Sequence, residues 1–118
     1  MSSRVLHLEA MPERLNANGS RSRNLFHGQL PTGEAVALHA SEQPAGTVPN
    51  PAHRIEHTEF ICLREGTVEF QHGGVTERAS AGDVLFIPKG TLHGVRNVGS
   101  GPAAYVVFAI GGDVHHSH

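Results

Sequence analysis

Gly82-Asp83-Val84-Leu85-Phe86-Ile87-Pro88-Lys89-Gly90-Thr91-Leu92-His93-Gly94-Val95-Arg96-Asn97 reads as a strand, a tight turn and a second strand. Val84 to Ile87 is a short apolar run. Pro88-Lys89-Gly90 ends it, because Pro presets φ and Gly takes the positive φ that tight turns need. Leu92 to Val98 then returns to extended chain, and His93 falls at the start of that strand. A histidine at the start of a barrel strand is well placed to face a cavity.

The same punctuation continues in both directions. Gly99-Ser100-Gly101-Pro102 separates this unit from a strand at Ala103 to Ile110. Upstream, Thr67 to Gln71 and Val75 to Ala79 form a hairpin around His72-Gly73-Gly74. Glu59 to Arg64 is a strand stopped by Glu65-Gly66. Arg23 to Leu30 and Glu34 to Ala40 are joined by the turn Pro31-Thr32-Gly33. Ser41 to Pro51 reads as a loop. The first 22 residues are expected to be an extension, with a strand at Val5 to Leu8, a single helical turn at Met11 to Leu15 and a loop at Asn16 to Ser20. Gly111 to His118 is expected to be a frayed tail. About eight or nine short strands with turns every 8–12 residues predict an antiparallel barrel or sandwich, one domain over residues 1–118.

Composition narrows the function classes. The 118 residues carry 9 Lys+Arg and 11 Asp+Glu, a net charge of −2, which does not supply the basic field a nucleic-acid binder needs. One cysteine, Cys62, excludes an intrachain disulfide. No apolar run approaches the roughly 20 residues of a membrane-spanning helix, so neither nucleic acid nor membrane is an expected partner. The N-terminus has no apolar signal core, and a cytoplasmic location is expected. Ten histidines are far above ordinary usage and direct attention to a metal site.

The histidines are densest in His53-Arg54-Ile55-Glu56-His57-Thr58-Glu59. Residues two apart on a strand share a face, so His53, Ile55, His57 and Glu59 would present two imidazoles and a carboxylate together. A bulge within the segment would break that parity. Ile61 and Leu63 continue the same parity as an apolar inner face. Cys62, Arg54 and Arg96 have the opposite parity and are expected to point outward. Imidazole with carboxylate suits a mid-row divalent metal: Fe, Mn, Ni or Zn. His115, His116 and His118 read as a tail prone to adventitious metal.

The two segments together resemble the paired motifs of the cupin superfamily, in the form found in small single-domain microbial members. The second family motif, G-x5-P-x-G-x2-H-x3-N, is matched by Gly82, Pro88, Gly90, His93 and Asn97 at every spacing. The first, with H-x-H-x3-E-x6-G at its core, is matched by His53, Glu59 and Gly66, while the second family histidine falls at Ile55 and Gly46 stands one residue too far upstream. The resemblance implies an all-β antiparallel double-stranded β-helix, a jelly-roll barrel. It also implies one divalent transition metal held by His53, Glu59 and His93, with His57 as the candidate for the missing nitrogen. The implied activity is on a small oxygenated organic molecule, by dioxygenase-like oxidoreductase chemistry or by Lewis-acid isomerase or lyase chemistry. Ile55 supports the alternative, a non-catalytic small-molecule binder with a degenerate, metal-free site. A homodimer is implied as well, formed by extending a sheet through N-terminal strands.

Overall fold

The structure, a computed structural model, describes residues 2–112 and 114. It is nearly all β. Ten strands are found among the described residues: β1 Glu13–Leu15, β2 Arg21–Gln29, β3 Ala35–Gln43, β4 His53–Arg54, β5 Thr58–Glu65, β6 Thr67–His72, β7 Val75–Ser80, β8 Val84–Ile87, β9 Leu92–Asn97 and β10 Ala103–Ile110. They form a six-stranded sheet in the order β1-β2-β3-β10-β5-β8 and a four-stranded sheet in the order β4-β9-β6-β7. Every pairing is antiparallel. This is the expected double-stranded β-helix.

Strand alternation divides each sheet into an inner and an outer face. On β5, Glu59, Ile61 and Leu63 are buried while Phe60, Cys62 and Arg64 are exposed, as the parity predicts. Ile61 and Leu63 join Ile55, Val68, Phe70, Ala79, Leu85, Ile87, Ala103 and Val107 in one apolar cluster, with Val95 and Tyr105 against it. The cluster draws on β5 to β8 and β10. The β1–β2–β3 side contributes no member and instead borders a polar cavity.

Glycines set the corners where a side chain has no room. Gly66, between β5 and β6, has φ +85°, and a Cβ there would lie 2.4 Å from the carbonyl oxygen of Pro102. The motif turn is closed by the Thr91 N–H donating to the Pro88 oxygen (3.2 Å), with Gly90 at φ +87°.

The N-terminal extension differs from the expectation. Leu8–Ala10 is a 3₁₀ turn, and Glu13–Leu15 is a strand where a helical turn was expected. The reason is non-local. Glu13 reaches Arg21 (3.4 Å) and Arg23 (3.2 Å) across β1–β2, and the Asn16 N–H closes the hairpin on the Ser20 oxygen (2.8 Å). Likewise β2 starts at Arg21 rather than Arg23, and β3 runs on to Gln43. Ser41 to Gln43, expected in a loop, pair with Arg21 and Ser22 on one side and Ala103 to Tyr105 on the other.

The expected frayed tail begins as packed chain. The Gly111 N–H donates to the Ala35 oxygen (2.7 Å), Val114 is buried, and a Cβ at Gly112 would lie 1.6 Å from the Glu56 oxygen. His115, His116 and His118 lie outside the described residues. No helix among the described residues is long and apolar enough to cross a membrane.

Gly66→Ala should cost about 3 kcal/mol or more, because it combines backbone strain with a clash against main chain. Gly73→Ala, at φ +53° with nothing within 4 Å of the new Cβ, should cost only about 1–2 kcal/mol. Denaturant midpoints of the two variants check the contrast.

Candidate functional site

The motif turn assembles the site. The Gly90 N–H donates to the Ile55 oxygen (2.8 Å), and Arg54 donates from Nη1 to the Gly90 oxygen (2.7 Å). These bonds tie the segment after β4 to the loop before β9. They set β4 against β9 in the register His53↔His93. The two imidazoles lie with centroids 4.7 Å apart at 47°. Phe70 meets the His93 ring edge-on at 6.5 Å and limits its swing.

His93 is buried, and its Nδ1 donates to the Thr91 oxygen at 3.1 Å. In the neutral ring that assignment leaves Nε2 as the nitrogen with the lone pair. His53 has the same local arrangement in a looser form, with Nδ1 3.4 Å from the Pro51 oxygen, and its residue is exposed.

Glu59 enters from the opposite sheet, between Ile87 and Ala109 in register. The chain bends at Glu56 and His57, so β4 and β5 are separate strands in different sheets. His57 nevertheless points inward and is buried behind Glu59. Its Nε2 lies 2.6 Å from Glu59 Oε2, a charge-assisted distance.

His53, Glu59 and His93 all border one cavity of about 220 Å³; His57 does not. Three of the expected ligand residues are therefore brought to one cavity wall, with His57 behind Glu59. Among the described residues no three His, Cys, Asp or Glu side chains are grouped so as to hold a metal ion. Donor chemistry and arrangement thus disagree. The imidazole of His93 is held as a ligand would be, whereas a Glu59 oxygen is engaged by His57, and Ile55, at the second family histidine, is packed in the core.

The rest of the lining was not anticipated. Tyr105 from β10, Ser22 from β2, and His39, Ser41 and Gln43 from β3 all face the cavity. Gln43 donates from Nε2 to the Tyr105 hydroxyl (2.8 Å). Burial pushes the Tyr105 phenol above its ordinary value. The Glu59 charge pushes the same way, and hydrogen bonds from Gln43 and Ser41 oppose it. Tyr105 is thus a protonated hydroxyl beside Glu59, able to give or accept a hydrogen bond. The available signal was Ser22, Asn24 and His39, Ser41, Gln43 at period two, a pattern that local reading assigns to solvent. Arg54 and Arg96 do point away from the cavity; Arg96 pairs with Glu69 instead.

Two facing antiparallel sheets around a cavity, with the motif histidine at its wall, define a jelly-roll barrel. The family comparison makes this specific. The cupin domain model matches residues 38–109, over half of the chain, and the protein belongs to the cupin family. Among curated proteins none matches significantly. Solved structures agree on the fold. An RmlC-like cupin from Shewanella frigidimarina has a TM-score of 0.76 at 17% identity, over 92% of this chain and 91% of the other. KdgF from a Halomonas species gives 0.76 at 18%, over 92% and 94%. A predicted oxalate decarboxylase from Thermotoga maritima gives 0.74 at 19%, over 91% and 98%.

The chain has one tyrosine and no tryptophan, so its phenolate absorbance reports Tyr105 alone. The native protein should ionise at higher pH than the denatured chain, whose phenol titrates near ~10. A raised folded value means the stabilisation is complete below that pH and is lost as pH rises through the folded value. Tyr105→Phe should flatten the alkaline fall in stability, measured by urea unfolding at stepped pH.

Proposed function

We propose that this cupin binds a small oxygenated organic molecule in the cavity between its sheets. In this reading Glu59 meets the ligand as a carboxylate backed by His57. The observation that carries it is the buried 2.6 Å contact of His57 Nε2 with Glu59 Oε2. That contact holds the carboxylate in place at the cavity wall, while Ile55 fills the place of the second family histidine with core side chain. The cavity offers the ligand hydroxyl, amide and imidazole groups.

A second reading, metal-dependent dioxygenase-like or Lewis-acid chemistry, draws support from His93. Its Nδ1 on the Thr91 oxygen leaves Nε2 in the form that binds Fe, Mn, Ni or Zn. In that reading Glu59 would coordinate through a carboxylate oxygen while His57 holds the carboxylate by its hydrogen bond.

Metal analysis by plasma mass spectrometry separates the two. The untagged chain should be ended after Val114, because Val114 is buried. The expected result is no stoichiometric metal in this protein or in its Glu59→Ala/His93→Ala variant. About one ion per chain, lost in the variant, would establish the metal-dependent reading instead.

A homodimer is part of the same proposal. β8 is an edge strand of the six-stranded sheet, and its outward Val84 and Phe86 are 57% and 55% exposed beside the exposed Phe60. An open apolar edge is an aggregation hazard unless covered. The patch of Phe60, Val84 and Phe86 carries no charge, so two copies can abut there without like-charge repulsion. Light scattering should give a mass twice the 12.6 kDa of the chain, and Phe86→Lys should reduce it to one.

A further inference from the structure

One wall of the cavity contains two polar atoms that the fold leaves without a partner. Ser22 Oγ and Gln43 Oε1 are both buried and form no hydrogen bond among the described residues. Their residues are 6% and 8% exposed, and both line the cavity. An unmade hydrogen bond at a buried group costs about 1–3 kcal/mol, so a fold rarely keeps two such groups near one another without use.

Their placement is not loose. Ser22 pairs in register with Ser41, and Gln43 follows two residues later on the same face of β3. The main chain of Gln43 is held by Asn97, whose Nδ2 donates to the Gln43 oxygen (3.0 Å) and to the Gly101 oxygen (3.0 Å). Asn97 Oδ1 in turn accepts from the Gly99 N–H (2.9 Å). The Gln43 side chain is oriented by its bond to the Tyr105 hydroxyl. Turning the amide over would exchange which of its two polar atoms is orphaned and would not remove the deficit. The wall therefore presents fixed hydrogen-bonding groups aimed at whatever enters.

The chemistry of the lining selects the occupant. Beside Ser22, Ser41, Gln43 and Tyr105 the cavity is bordered by four asparagines. These groups are uncharged, and the hydroxyls and amides among them both donate and accept. An alcohol hydroxyl has the same dual character, so several hydroxyls on one molecule match several such groups at once. A carboxylate or phosphate would call for clustered fixed cations; among the described lining residues Arg14 is the single Lys or Arg, beside the imidazoles of His39, His53 and His93, and Glu59 is present as an opposing charge. An apolar ligand would strand the polar wall. Ile61, Val95 and Val107 supply one limited apolar surface, suited to the C–H face of a ring. The volume of about 220 Å³ lies below the ~300–1,000 Å³ of drug-sized sites and admits a single ring or a short chain.

We propose that the β2–β3–β10 wall is a subsite for a neutral polyhydroxylated ligand of monosaccharide size, with Ser22 and Gln43 bonding its hydroxyls. This names the class of molecule for the cavity proposed above, and it rests on that reading only for the location.

The test is a ¹H–¹⁵N NMR titration of the full, metal-stripped chain. The probes are glucose, galactose, arabinose and myo-inositol, with gluconate as the anionic control and 1-butanol as the apolar one. At least one neutral probe should shift the Gln43 side-chain amide with Kd in the millimolar range or tighter, roughly tenfold tighter than either control. Ser22→Ala should weaken that binding about fivefold or more and leave the Tm of the free protein unchanged or raised, because it deletes an unpaired group. Gln43→Leu provides the second binding variant. Binding of gluconate or butanol in preference to the neutral probes would overturn the polyol assignment and leave the cavity reading standing. No response to any probe at about 100 mM would overturn both. A Ser22→Ala protein that loses stability while binding unchanged would show a structural serine and overturn the subsite.

Discussion

The hydrogen bond from the Gly90 N–H to the Ile55 oxygen is the joint on which the site depends. It connects the two stretches of chain that carry the family motifs, and Arg54 reinforces it by donating back to Gly90. Gly90 can serve there because its positive φ costs it nothing. With this joint made, His53 and His93 become register partners, and Glu59 comes at them from the opposite sheet. The joint uses the main chain of Ile55, and the Ile55 side chain goes into the apolar cluster. A histidine at position 55 would have to be accommodated in a space that is now hydrophobic core.

The barrel divides its interior between two tasks. The strands from β5 to β8 close on isoleucine, leucine, valine and phenylalanine and supply the burial that drives folding. The β2 and β3 strands, with Tyr105 of β10, line the other side with serine, asparagine, glutamine and histidine. Ile61, Val107, Val95 and Tyr105 border both regions, so the core forms the floor of the cavity and holds its walls apart. The His57–Glu59 pair lies on the boundary. It satisfies a carboxylate that desolvation would otherwise oppose. In the proposed reading the orphaned polar atoms at Ser22 and Gln43 are the cost of presenting a polar wall to a ligand. Local rules are broken at the place where a ligand would restore them.

Much of this was legible from residue order. Val84–Ile87, the Pro88–Gly90 turn and Ala103–Ile110 were read at their observed bounds, because each is short, apolar and enclosed by Gly or Pro. The parity that turns Ile55, His57, Glu59, Ile61 and Leu63 inward and Cys62 outward agrees with the burial pattern, whereas His53, expected on the same face, is exposed. The strand breaks at Glu56 and His57, and that break separates His53 into the other sheet. Less could be read of the N-terminal hairpin and of β2 and β3. Glu13 is in a strand because Arg21 and Arg23 lie across from it, and Ser41 to Gln43 are in a strand because two neighbours pair with them.

Sequence alone determined the fold class, the family motifs and three of the motif residues at the cavity, His53, Glu59 and His93, because turn chemistry and strand alternation act within a few residues. Tertiary structure decided what those residues are doing. Whether Glu59 is held by His57 depends on how the chain bends between them and on what packs around both. Whether Ser22 and Gln43 face water or an enclosed space depends on which sheet lies opposite. Alternation reports that two faces differ; only the packing of the second sheet says which of them is inside.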